Sequence, residues 1–188
     1  MLSTVRRCTA LALAATLCAA GGAGAQGAAD VAADDSGATV MPSTALRQSD
    51  YSAPTPLAIP GAQVIDTPAL RERLAAERPP LLFDAIGGDG HNTIPGAIWL
   101  PGAGGGISFG DAVQQQLAKT LALATAGDPA RALVFFCVNR NCWLSYNAAL
   151  RAVRLGYREV YWYRGGIQAW HAAGGGIEPP KIVWRRPQ

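Results

Sequence analysis

Histidine is scarce in this chain: only His91 and His171 are present, and neither stands at a metal-ligand spacing from a partner. A four-ligand zinc site built with the cysteines is therefore not expected. Charge is sparse as well, at 15% of 188 residues, with 16 Lys and Arg against 13 Asp and Glu. The formal net charge is +3, falling to +1 without Arg6 and Arg7 of the first 25 residues, and a balance so near neutral argues against nucleic acid or an anionic membrane as a partner. Internal repeats and heptads are missing, which leaves one globular domain plus extensions as the fitting organisation.

The first 25 residues differ from the rest. Arg6 and Arg7 precede the apolar stretch CTALALAATLCAA, and Ala23-Gly24-Ala25 supplies small residues before Gln26. This is the pattern of a secretory signal peptide, too short and wrongly flanked for a membrane span. Leu17 before Cys18 does not fit a lipoprotein site. Cleavage after residue 25 removes two arginines, taking the net charge from +3 to +1, and leaves Cys137 and Cys142 as the only cysteines. The expected location is periplasmic, an oxidising compartment in which thiols cannot be assumed reduced. Residues 26–56 are rich in Ala, Ser, Asp, Gly and Pro without a sustained apolar period. They read as a flexible leader, with the folded domain spanning 57–188.

Beyond the leader, apolar runs alternate with helical patterns. Strands are expected at 62–66, 81–85, 96–100, 132–136 and 160–163. Helices are expected from Thr67, as cap before Pro68, then over 111–126, 143–157 with Gly156 as its stop, and 167–174. ALVFF at 132–136 has no polar face, as befits a central parallel strand covered on both sides. The alternation predicts an α/β fold with a mainly parallel sheet and helices on both faces.

Cys137 follows that central strand and Cys142 precedes the next helix. Sites of open α/β sheets lie at the carboxyl ends of strands, and the amino end of a helix favours an anion. A thiolate at Cys137 is stabilised there, with Arg140 adding positive charge in the same loop. The alternative is a structural disulfide; a ring this small contributes less than the roughly 3 kcal/mol of a fifteen-residue loop.

Four pieces in order resemble a known family: LLFDA, GHNTIPGAIWLPG, LVFFC, and a closing Gly165-Gly166, Trp170, Gly174 pattern. Together they are similar to the rhodanese-like (sulfurtransferase) domain family over residues 60 to 178. The resemblance implies the rhodanese-like fold, a catalytic cysteine at Cys137, and a small anionic sulfur donor or a protein thiol as partner. NCWLSYNAALRA further resembles an exported subgroup named for a Cys-x-x-Cys-Trp (CXXCW) motif, which accompanies alcohol oxidation dependent on pyrroloquinoline quinone (PQQ). That implies proteins of a PQQ-dependent dehydrogenase system as partners, with no cofactor or metal on this chain. The loop CVNRNCW carries no glycine, and Cys142 stands where a cationic residue is usual in the family, which favours a two-thiol mechanism.

The expected site is thus Cys137 as nucleophile and Cys142 as resolving thiol. Val138, Asn139, Arg140 and Asn141 would form an anion cradle, chiefly through backbone N–H groups, and Trp143 would shield the loop. His91 reads as a turn or packing residue. Asp84 reads either as orienting the loop or as capping a turn. Three functions remain open: sulfur transfer through a Cys137 persulfide, thiol–disulfide chemistry by the pair, or a non-catalytic module that binds an anion or a protein.

Overall fold

The computed structural model describes residues 39–182 apart from Asp89. The expected signal peptide, residues 26–38 of the leader and the tail from 183 lie outside the described residues. Six strands form one sheet: β1 (Gln63–Ile65), β2 (Leu81–Asp84), β3 (Ile98–Trp99), β4 (Leu133–Phe136), β5 (Val160–Tyr163) and β6 (Lys181–Ile182). Their order is β1-β5-β4-β2-β3-β6, and every adjacent pair is parallel. Among the described residues four helices cover it: α1 (Thr67–Leu74), α2 (Ala112–Thr125), α3 (Trp143–Arg154) and α4 (Gly166–Ala172).

The central strands explain the layering. All four residues of β4 and all four of β5 are buried, because each strand has a helix layer on either side. Period-two alternation splits their side chains between two cores. Leu133, Phe135 and Trp162 face α2 and α3, with Leu117, Leu121, Tyr146 and Leu150. Val134, Phe136, Tyr161 and Tyr163 face α1 and α4, with Leu70 and Trp170. Adjacent strands β4 and β5 therefore send their following helices to opposite faces. That divergence opens a crevice at their carboxyl ends, where open α/β sheets bind ligands.

Two local expectations are corrected. The cap of α1 is Asp66 rather than Thr67: the Asp66 carboxylate accepts from the Ala69 N–H at 2.9 Å. Thr67 is the first helical residue, and its hydroxyl pairs with that of Tyr163 at 2.6 Å. A carboxylate reaches an exposed helix N–H, whereas the neighbouring hydroxyl finds a buried phenol. The second correction concerns the leader. Residues 39–56 pack on α3 instead of ranging freely. Ser43 N–H donates to the Tyr146 hydroxyl, which donates back to the Ser43 carbonyl, both at 2.9 Å. The Asn147 side chain likewise exchanges two hydrogen bonds with the backbone of Arg47. Leu46 and, just beyond the segment, Ile59 are buried in the α2–α3 core. Backbone partners supplied by side chains, together with an apolar anchor, order a segment of low average hydrophobicity.

The glycine-rich stretch 101–110 is a loop, as expected, and a buried arginine holds it. Arg151 donates to the carbonyls of Gly105 at 2.6 Å and Ser108 at 3.0 Å, and to both carboxylate oxygens of Asp111, the α2 cap.

Candidate functional site

Cys137 directly follows β4 and Cys142 is the residue before α3. The two are joined as a disulfide, with Cα atoms 6.1 Å apart and a sequence separation of 5, four residues lying between them. Both are buried, Cys137 being 2% and Cys142 7% exposed. The loop between them lies against the start of α4. Ile167 N–H donates to the Cys137 carbonyl and Gln168 N–H to the Val138 carbonyl, each at 3.0 Å. Only glycine permits that approach at position 166. Its φ is +64°, and an added Cβ would sit 2.3 Å from the Cys137 carbonyl oxygen. The Gly-Gly pair after β5 thus presses the cysteine loop onto α4.

The intervening residues separate by environment. Val138 is exposed beside Cys137. Asn139 turns the loop: its carbonyl oxygen atom on the side chain accepts from Asn141 N–H at 2.9 Å, and its amide donates to Gln168 at 3.1 Å. Asn141 is exposed and Arg140 half-buried. Arg140 also borders a cavity of about 370 Å³ whose walls include Leu57, Ile65, Thr67, Tyr163 and Arg164. The expected cradle is partly spent internally, since the Asn141 N–H serves the Asn139 side chain; beside it, the Cys142 N–H donates to the Asn139 carbonyl at 3.2 Å.

The segment from Tyr51 to Thr55 closes over this loop as a strap. Ala53 N–H donates to the Asn141 carbonyl and Trp143 N–H to the Tyr51 carbonyl, both at 2.9 Å, so Ser52 faces Cys142 in an antiparallel bridge. The Thr55 hydroxyl donates to the Arg140 carbonyl. Arg164, 7% exposed, donates from Nε to the Thr55 hydroxyl at 3.1 Å and from its terminal nitrogen to the Thr55 carbonyl at 3.0 Å. Trp143 completes the cover: its indole donates to the Pro54 carbonyl at 3.1 Å, and the Arg47 guanidinium lies 4.9 Å from its ring centre. Its edge-on contact with Tyr146 continues to Trp162. Trp143 is a packing and shielding residue in this arrangement.

Asp84 caps a turn. Fully buried at the end of β2, it accepts from Ile86 N–H at 2.9 Å and the Thr93 hydroxyl at 2.6 Å, and pairs with His91 Nε2 at 2.9 Å. His91 packs edge-on against Trp99. Among the described residues no cluster of three or more His, Cys, Asp or Glu is placed to hold a metal. Sequence reasoning missed Thr55, Arg164 and the strap. The one available signal was the Tyr51-to-Thr55 stretch itself, with a tyrosine and a Pro-Thr-Pro that low-complexity leaders do not require.

An all-parallel sheet with a cysteine loop at the carboxyl end of its central strand, seated on a Gly-Gly turn, defines an α/β domain of the sulfurtransferase type. Residues 68–173, more than half of the chain, match the rhodanese-like domain family, and the chain belongs to it. Among solved structures, a thiosulfate sulfurtransferase from Pseudomonas aeruginosa is similar at 21% identity and TM-score 0.46, over 64% of this chain and 21% of that one. The present chain thus spans about a fifth of that protein. The Alr3790 protein from Anabaena is similar at 20% identity and TM-score 0.43, over 62% and 80% of the two chains. The yeast protein Ygr203w, described as a protein tyrosine phosphatase of the rhodanese family, is similar at 18% identity and TM-score 0.47, over 61% and 88%. No curated protein matches the chain.

Proposed function

We propose that this protein is an exported two-cysteine rhodanese-like protein that works by sulfur and thiol chemistry at Cys137 and Cys142. The observation that carries the reading is the disulfide joining the strand-end cysteine to the residue before α3, at the crevice between β4 and β5. After two-electron reduction, the Cys137 thiolate attacks the sulfane sulfur of a donor such as thiosulfate. A persulfide forms and sulfite leaves. The Cys142 thiolate then attacks the inner sulfur of that persulfide, restoring the disulfide and expelling hydrosulfide. The amino end of α3 and Arg140 favour the anionic species involved. The signal-peptide pattern supports a periplasmic location. The likeness of NCWLSYNAALRA to the CXXCW subgroup supports a role accessory to PQQ-dependent alcohol oxidation.

A second reading, thiol–disulfide exchange with a protein partner, is favoured by the same bond. The two readings separate in one experiment: intact mass and peptide mapping of reduced protein incubated with thiosulfate. Sulfur transfer expects one cyanide-removable sulfur on Cys137, absent in Cys137→Ser and retained in Cys142→Ser. Loading that survives Cys137→Ser would refute it. Exchange expects a bond in equilibrium with glutathione, at a potential above roughly −300 mV.

A further inference from the structure

The strap does more than cross the cysteine loop. Its bonds flank the facing pair: Ala53 N–H to the Asn141 carbonyl on one side, Trp143 N–H to the Tyr51 carbonyl on the other. Ser52 and Cys142 are therefore a non-hydrogen-bonded antiparallel pair. Such pairs have Cα atoms about 4.5 Å apart and side chains on the same face. A disulfide spans Cα separations of roughly 4.4–6.8 Å. Ser52 differs from cysteine by one atom, so the strap lays a serine where a cysteine of an extended chain would be in range of the Cys142 sulfur.

We infer that residues 51–55 occupy, in cis, the seat of the site's polypeptide substrate: an extended segment of another protein whose cysteine takes the place of Ser52. This rests on the thiol–disulfide reading above and names its substrate class. The seat supplies a backbone acceptor at Asn141, a backbone donor at Trp143, the Trp143 indole for a carbonyl two residues past the cysteine, and Arg164 with the Arg140 carbonyl for a hydroxyl-bearing residue three past it. In the exchange step the substrate thiolate attacks Cys142 Sγ. A substrate–Cys142 bond forms, the Cys137–Cys142 bond breaks, and Cys137 leaves as the thiolate. No electrons enter from outside, because the substrate sulfur is oxidised as Cys137 is reduced.

The first test places the thiol in the strap itself. Ser52→Cys in the full chain, equilibrated in a glutathione buffer, is expected to give a bond between position 52 and Cys142, leaving Cys137 open to alkylation in peptide maps. Ser49→Cys, on an exposed residue of the same segment, is expected to leave the native bond intact. The second test uses the octapeptide SDYSAPTP, residues 49–56, synthesised with cysteine in place of its second serine. It is expected to form a mixed disulfide with Cys142 faster than glutathione or a shuffled peptide does, and about 30-fold faster again on a Thr55→Val protein, whose strap has lost its buried hydroxyl. Exchange of Cys137–Cys142 with glutathione but not at position 52, or a peptide rate equal to that of its shuffled form, would overturn this inference alone. A native bond that no thiol opens would overturn the reading beneath it as well.

Discussion

Thr55→Val should open the cysteine site without touching a sulfur. Thr55 is fully buried; its hydroxyl donates to the Arg140 carbonyl and accepts from Arg164 Nε at 3.1 Å. Valine fills the same volume and removes both of these hydrogen bonds at a fully buried position, a cost of about 2 kcal/mol. Both partners regain water when the strap lifts, so the cost falls on the closed state alone. At 1.36 kcal/mol per factor of ten, the open fraction rises about 30-fold. With Cys137 and Cys142 both buried and the strap bonded across the loop that carries them, reduction through the open state should accelerate by the same factor. The assay is pseudo-first-order reduction by dithiothreitol, quenched by alkylation and read by intact mass. Thr125→Val is the control. It removes a buried hydroxyl bonded to the Leu121 carbonyl and to Tyr157, at the opposite end of the sheet, and should cost similar stability with no change in reduction rate. A Thr55→Val rate within about twofold of wild type, alongside a measured loss of stability, would refute the strap as the barrier.

Other outcomes follow from the same contacts. Asn147→Ala removes three hydrogen bonds from a buried amide, two to the Arg47 backbone and one to the Gly104 carbonyl; trypsin cleavage after Arg47 should accelerate at least ten-fold. Gly166→Ala places a Cβ against the Cys137 carbonyl at positive φ and should cost about 2 kcal/mol or more, read as a lowered Tm. Burial acts to raise the Asp111 pKa, but hydrogen bonds from Arg151, Gln114 and Ser108 outweigh it and hold the carboxyl at about 2, below its ordinary 3.8. The folded value being the lower one, this stabilisation of about 2 kcal/mol is complete above about pH 5 and is lost as pH falls toward 2. Urea unfolding of wild type against Asp111→Asn should therefore converge over that range, and parallel curves would contradict the assignment.

The sheet was legible in the sequence where burial is complete. LVFF and VYWY carry no polar face, so no competing pattern obscured them, and β5 coincides with its expected residues. Two outer strands shrank from five expected residues, to three at β1 and two at β3: β1 is, among the described residues, an edge paired only with β5, and β3, although paired on both sides, shares just two positions with each of β2 and β6. The position of both cysteines followed from strand and helix ends. The strap did not. Its contacts depend on single side chains reaching across about a hundred positions, Ser43 to Tyr146 and Thr55 to Arg164, and a composition averaged over 26–56 carries no trace of such pairs. Asp84 was seen as either a loop-orienting or a turn-capping residue; its three partners at Ile86, His91 and Thr93 decide for the turn.

Sulfur transfer and thiol exchange at this site are linked by valence. In the oxidised chain Cys137 Sγ is bonded to its own Cβ and to Cys142, so it cannot accept a sulfane sulfur until two electrons arrive from a thiol reductant. Once loaded, the persulfide has two fates: an external acceptor takes the outer sulfur and returns the Cys137 thiolate, or Cys142 attacks the inner sulfur and closes the disulfide with loss of hydrosulfide. The first fate needs no further electrons, and the second consumes two for every sulfur released. Cys142→Ser separates them. With thiosulfate as donor and cyanide as acceptor in excess, turnover at or above the wild-type rate assigns Cys142 to switching the site off, since only closure has been removed. Turnover that falls to the uncatalysed rate, with Cys137 still loaded, assigns Cys142 to sulfur release itself. Four residues between the cysteines hold the second thiol where either assignment is within reach, and the strap, bonded across the loop beside Cys142, sets how quickly the electrons can enter.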